Sequence, residues 1–128
     1  MSLKSKGING ERELVHRFWA AGWACIRVAG SGSSKYPSPD LLAGNVRRKL
    51  AIECKVTSGD SKYLEKDDVI QIRTFAQAFG AEPWIAIKIA RQWRFMMLED
   101  VKETPAGYAV SKQLAETKGL TFEEVIQS

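Results

Sequence analysis

With 128 residues, the chain has room for one compact domain and not for two ordinary ones, so any active site shares its single core. Its 45% hydrophobic and 27% charged residues suit a globular protein, with no apolar run of membrane-span length and no apolar signal core at Met1-Ser2-Leu3-Lys4, so the expected location is cytoplasmic, without membrane contact. A net charge of +4 and a pI near 9.2 favour a polyanionic partner, while two cysteines, Cys25 and Cys54, in separate strand-like runs exclude a disulfide framework and a close metal-binding pair.

The first predicted element is a helix from Asn9 to Ala21, where Leu14, Val15, Phe18 and Trp19 recur at helical spacing before Gly22. Glu11 lies three residues before Leu14 and four before Val15, on the first turn of that same face. His16, the single histidine, falls away from the stripe, which argues against a histidine-based hydrolase. Trp23 to Ala29 reads as a strand running into the loop Gly30-Ser31-Gly32-Ser33-Ser34, prolonged by Pro37 and Pro39. That loop is not a dinucleotide fingerprint, since Lys35 stands where a third glycine is needed and Pro37 forbids the helix, and it lacks the ending of a P-loop.

Asp40 to Gly44 is a short predicted strand, Asn45 to Arg48 a turn, and Lys49 to Thr57 a second strand paired with the first as a hairpin. Lys66 to Phe79 is a helix whose apolar arc is Val69, Ile72, Phe75, Ala76 and Phe79, stopped by Gly80 with Pro83 beyond. Trp84 to Ile89 and Trp93 to Leu98 read as two more strands, Tyr108 to Val110 as an edge strand and Phe122 to Ile126 as a short closing helix. This order predicts an α/β fold with a mixed central β-sheet flanked by helices, in a single domain over residues 1–128, with residues 1–3 cloning-derived or disordered.

The chemistry concentrates in Pro39-Asp40, the hairpin, and Glu53-Cys54-Lys55 in an otherwise apolar strand. Side-chain alternation puts Glu53 and Lys55 on one face and Ile52, Cys54 and Val56 on the other, and hairpin pairing brings Asp40 across from Glu53. Two carboxylates on adjacent strands plus a backbone carbonyl, that of Cys54, form a half-cage for a hard divalent ion such as Mg²⁺. Such an ion polarises a phosphoryl oxygen and acidifies a bound water, with the Lys55 ammonium placed to orient the nucleophile or stabilise developing charge. Glu11 is a candidate to complete that site. Judged alone, Glu-x-Lys more often describes an ion pair on a solvated sheet face; Pro-Asp at hairpin distance and the flanks Leu50-Ala51-Ile52 and Val56 bring the two readings level, and together they form the PD-(D/E)xK nuclease pattern.

More closely, the chain resembles the archaeal Holliday junction resolvases, a branch of that nuclease superfamily. The resemblance runs from Lys4 to about Phe95 through Lys4-Ser5-Lys6-Gly7, Gly10-Glu11-Arg12-Glu13-Leu14, Ile26-Arg27-Val28-Ala29-Gly30-Ser31-Gly32-Ser33, Pro39-Asp40-Leu41-Leu42-Ala43-Gly44-Asn45, Ala51-Ile52-Glu53-Cys54-Lys55-Val56-Thr57, Phe79-Gly80-Ala81-Glu82-Pro83 and Trp93-Arg94-Phe95. It implies a restriction-endonuclease-like core, Asp40 and Glu53 as metal ligands, Lys55 as the catalytic lysine, Glu11 as the helix carboxylate of the site and Ser31 beside the scissile phosphate. It further implies a two-fold homodimer that nicks two opposed strands of a four-way DNA junction, with Mg²⁺ replaceable by Mn²⁺ and 5′-phosphate products. Phe75 and Phe79 would pack across the dyad; by pattern alone both belong to the monomer core.

Lys4, Lys6, Arg12, Arg27, Lys35, Arg47, Arg48, Lys49 and Lys62 fall where they would flank the site and contact phosphates, which carry no base information, so selectivity is expected for branch shape and affinity is expected to fall with salt. Two other functions compete: a repair or restriction nuclease acting on duplex, and a non-catalytic module that binds branched DNA and recruits recombination proteins.

Overall fold

The computed structural model describes residues 3–30 and 35–127, with side chains from residue 6 onward. Helix α1 (Leu3–Ala20) leads into β1 (Ala24–Arg27), β2 (Leu41–Gly44) and β3 (Lys49–Val56). Then come β4 (Ser61–Glu65), α2 (Lys66–Phe79), β5 (Glu82–Ile89) and β6 (Gln92–Met96). A short 3-10 turn (Leu98–Asp100) precedes β7 (Lys102–Thr104), β8 (Gly107–Ser111), α3 (Lys112–Lys118) and α4 (Phe122–Val125).

The main sheet has five strands in the order β1-β2-β3-β5-β6. Only β3 and β5 run parallel, joined by the crossover through α2; the other pairs are antiparallel. The predicted mixed sheet flanked by helices is therefore present. Its two faces carry separate cores, as strand alternation demands. Leu41, Ala43, Leu50, Ile52, Cys54, Ala86 and Phe95 pack with Leu14 and Phe18 of α1 and with Phe122 and Val125 of α4. Ala51, Ile85, Ile87 and Met96 face the other way, against Val69, Ile72 and Ala76 of α2. Phe18 is fully buried and makes edge contacts to Phe95 at 6.3 Å and Phe122 at 5.0 Å; burying one such ring contributes roughly 1.5–3 kcal/mol.

The departures from expectation are local. Helix α1 starts at Leu3, six residues before the predicted Asn9. The Tyr108 to Val110 segment lies in β8, the middle strand of a second, three-stranded sheet ordered β4-β8-β7, and is not an edge. Strands β4 and β7 and helix α3 had no predicted counterpart. Leu64 of β4 and Val110 of β8 are fully buried in the α2-side core, so the small sheet closes that face of the large one.

Helix α2 has the predicted limits because its stop is chemical: Gly80 adopts the left-handed conformation at φ 84° and donates its N–H to the Ala76 carbonyl. No helix of the described residues is long and apolar enough to cross a membrane.

Candidate active site

The hairpin register fixes the site. Leu41 pairs with Ile52 and Leu42 with Ala51, so continuing one residue back sets Asp40 opposite Glu53 on the face that also carries Lys55. Asp40 is pinned by its backbone from both sides: its N–H donates to the Ile52 carbonyl at 3.0 Å and its carbonyl accepts the Val28 N–H at 2.8 Å. Its Oδ2 accepts the Cys54 backbone N–H at 2.9 Å. In β3 the Thr57 N–H points to β5, reaching the Lys88 carbonyl, whereas the Ile52 carbonyl points to β2. Backbone groups alternate, so the Cys54 carbonyl is directed to the Asp40 side, past the end of β2. This is the side expected of it as a ligand.

Glu53 and Lys55 are mostly buried, with Lys55 Nζ 3.5 Å from Glu53 Oε2. Burial first, and then the Asp40 carboxylate, push Glu53 up to about 8 against the opposing pull of Lys55. For Lys55 burial disfavours the charge, but Glu53 and Asp68 outweigh it and hold the pKa above its ordinary value. A buried acid whose ionisation a neighbouring carboxylate opposes is suited to receiving a cation. All its donors are hard oxygens, which matches Mg²⁺, an ion commonly bound through one or two carboxylates with the remaining positions left to water. Among the described residues no three of His, Cys, Asp and Glu converge on one point, so the residues fit an ion held by Asp40, Glu53 and a carbonyl, and not a closed cage.

Glu11, expected as the helix carboxylate of the site and a metal ligand, is paired with a cation. Its Oε1 accepts a 2.7 Å charged hydrogen bond from Arg27 Nε. Burial and Asp40 raise its pKa while Arg27 and Lys55 lower it, so it belongs to the same electrostatic neighbourhood. Arg27, expected to meet phosphate, spends Nε on Glu11. Ser31 lies outside the described residues, as does the Lys4 side chain.

The basic residues divide. Lys6 lies beside β3, lining a cleft of about 490 Å³ with Gly10, Glu13, Thr57, Lys88 and Arg91. Arg12 and Lys35 are exposed, and Lys62 on β4 is half-buried. Arg47, Arg48 and Lys49 sit at the far end of the hairpin, about 16 Å along the strand from Asp40, and so do not flank the site. Arg48 is committed to structure: it grips Glu82 through Nε and Nη2 at 2.8 Å each and donates Nη1 to the Val125 and Gln127 carbonyls. It also stacks 5.5 Å from the Trp23 ring.

Three residues of this region escaped sequence reasoning. Lys88, bonded to Glu13 at 2.6 Å, is the only cation in β5, and the break it makes in the apolar run Trp84 to Ile87 was the available signal. Arg91 sits in the β5–β6 turn at φ 63°. Asp68 lies 3.3 Å from Lys55 Nζ, a contact across two elements that no local pattern encodes.

Phe75 and Phe79 stack at 5.3 Å with planes 20° apart. Phe75 is half-buried against the α2-side core, whereas Phe79 is 48% exposed, so the pattern-based assignment to the monomer core fits Phe75 and not Phe79. With Trp19, Ile26, Leu42 and Val46, Phe79 lines a shallow, predominantly apolar depression.

Comparison with known proteins places this geometry in a family. The model of the archaeal Holliday junction resolvase (Hjc) family matches residues 2–128. The crossover junction endodeoxyribonuclease Hjc of Archaeoglobus fulgidus is 42% identical over 130 aligned positions, covering 95% of this chain and 96% of that one. Its namesake from Sulfolobus acidocaldarius is 33% identical over 99% of this chain and 90% of its own. The 1.6 Å structure of A. fulgidus Hjc, described as a Holliday junction resolvase from an archaeal hyperthermophile, superposes with a TM-score of 0.86 over 93% of this chain and 98% of that one. With the nuclease hairpin intact and the match spanning nearly its whole length, the chain belongs to the archaeal Holliday junction resolvase family.

Proposed function

We propose that the chain is a structure-selective DNA endonuclease that resolves four-way junctions by paired nicks, acting as a homodimer with Mg²⁺, or Mn²⁺ in its place. The observation that carries the reading is the convergence of Asp40, Glu53 and Lys55 at the open end of the β2–β3 hairpin in a chain of this family. Asp40, Glu53 and the Cys54 carbonyl hold the ion, which when bound supplies Lewis-acid polarisation of the scissile phosphate and a more acidic water. Lys55 presents an ammonium to the attacking oxygen or to charge developing at phosphorus. Arg27 has one nitrogen on Glu11 and offers its remaining donors to phosphate, so Glu11 orients a phosphate clamp from α1. Lys6, Arg91 and the Glu13-bonded Lys88 line a basic cleft on the α1 side of the sheet, and Arg12 and Lys35 add exposed cations from α1 and the loop. Such contacts read backbone shape and not sequence.

The dimer is proposed through the Phe75–Phe79 face, because a symmetric junction cut at two opposed strands needs two sites related by a dyad. The test compares Mg²⁺-dependent cleavage of a four-way junction with that of linear duplex and flaps. Junction cleavage far above the other two is expected, with Asp40→Asn, Glu53→Gln and Lys55→Ala each abolishing it while junction binding persists. Equal rates on all three substrates would assign the chain to duplex repair or restriction, and unchanged nicking by the three variants would move the chemistry elsewhere.

A further inference from the structure

Asp68 stands in the first turn of α2, and its Oδ2 is 3.3 Å from Lys55 Nζ, closer than the 3.5 Å to Glu53 Oε2. The same oxygen accepts the Glu65 backbone N–H at 3.1 Å, so the start of the helix fixes where this carboxylate points. All three side chains are at least three-quarters removed from solvent, at 24%, 14% and 25% exposure for Lys55, Glu53 and Asp68, which makes their pairing stronger than that of a surface ion pair.

A lysine two residues along a strand from a glutamate, on the same face and with no second anion, folds back on that glutamate and occupies its lone pairs. At Glu53 this would obstruct the role assigned to it. A carboxylate arriving from the helix packed on that face offers Nζ an alternative. We propose that Asp68 is a positioning residue that divides Lys55 between two acids, keeping the ammonium over the reacting face while leaving Glu53 open to a divalent cation. This inference rests on the reading of Asp40, Glu53 and Lys55 as the nuclease centre.

The experiment is calorimetric titration of the DNA-free protein with Mn²⁺, in a cycle of Asp68→Asn and Lys55→Met. Asp68→Asn keeps an oxygen to accept the Glu65 N–H. The expected result is a loss of Mn²⁺ affinity on Asp68→Asn about tenfold larger with Lys55 present than in the Lys55→Met background, within the range of coupling between contacting residues. Asp68→Glu, the commoner capping-box acid, restores affinity. Cleavage by Asp68→Asn shifts to higher Mg²⁺ concentration and recovers at saturation, with junction affinity in chelator unchanged. Equal losses in the two backgrounds would show that Asp68 acts by its charge alone and overturn the proposal. A lower melting temperature with unmoved Mn²⁺ affinity would reduce Asp68 to a helix cap, also overturning it. If Asp40→Asn leaves Mn²⁺ binding intact, the nuclease centre itself is misplaced and the inference falls with it.

Discussion

Glu53 gives the metal-free protein a pH dependence of unusual sign. Burial and the neighbouring Asp40 push its carboxyl up to about 8, so between the ordinary carboxylate range and that value the folded state holds a proton that the unfolded chain has released. Stability then falls as pH rises through this window, the reverse of a salt-bridged acid. In chelator, Glu53→Gln should melt above the parent protein, by a margin that widens from about pH 5 to about pH 8. A margin constant across that range would show that Glu53 is ionised throughout. Saturating Mg²⁺ should remove the trend, because a cation favours the carboxylate. Asp40, Glu53 and Lys55 were legible because alternation and hairpin pairing are local rules. Asp68 and the Glu11–Arg27 bond were not, because they join elements whose approach depends on packing distances that no spacing records.

Helix α1 shows how packing sets such a distance. A Cβ on Gly10 would stand 2.7 Å from Val56 Cγ2 and 3.3 Å from Trp93 Cη2, so the absent side chain lets the helix lie close against the strand next to Lys55. Val56 is β-branched and turns aside with difficulty. Gly10→Ala gains about 1 kcal/mol of helix propensity and loses about 1–3 kcal/mol to overpacking. Denaturant unfolding is expected to show a net loss of about 1 kcal/mol, and cleavage should fall further than stability does, since Glu11 is carried away with the helix. A stabilised variant would mean that α1 yields freely. The same elements explain what could be read beforehand. Helix α2 buries Val69, Ile72 and Ala76 at helical spacing and ends at a glycine, whereas β4 buries only Leu64 and α3 only Ala115. One buried residue makes no period, and the polar start of α1 makes none either.

At the scale of the whole molecule, the exposed Phe79, stacked on the half-buried Phe75, shares an apolar depression with Ile26 of the edge strand β1 and Val46 of the hairpin turn. An apolar edge of this kind invites a second copy. Phe79→Glu combined with Phe75→Glu should elute as a folded monomer that binds one arm of a junction and loses paired nicking; an unchanged elution volume would place the dyad elsewhere. In the same hairpin turn, Arg48 binds carbonyls 77 and 79 residues further along the chain. A nascent chain made from its N-terminus exposes this arginine long before Val125 and Gln127 exist. The turn joining the two halves of the nuclease hairpin is thus clasped in part by residues made much later, and a product broken off within α3 leaves the guanidinium with Glu82 and Trp23. Message truncation and proteolysis within α3 therefore converge on one defect, a hairpin that keeps its ladder without its latch.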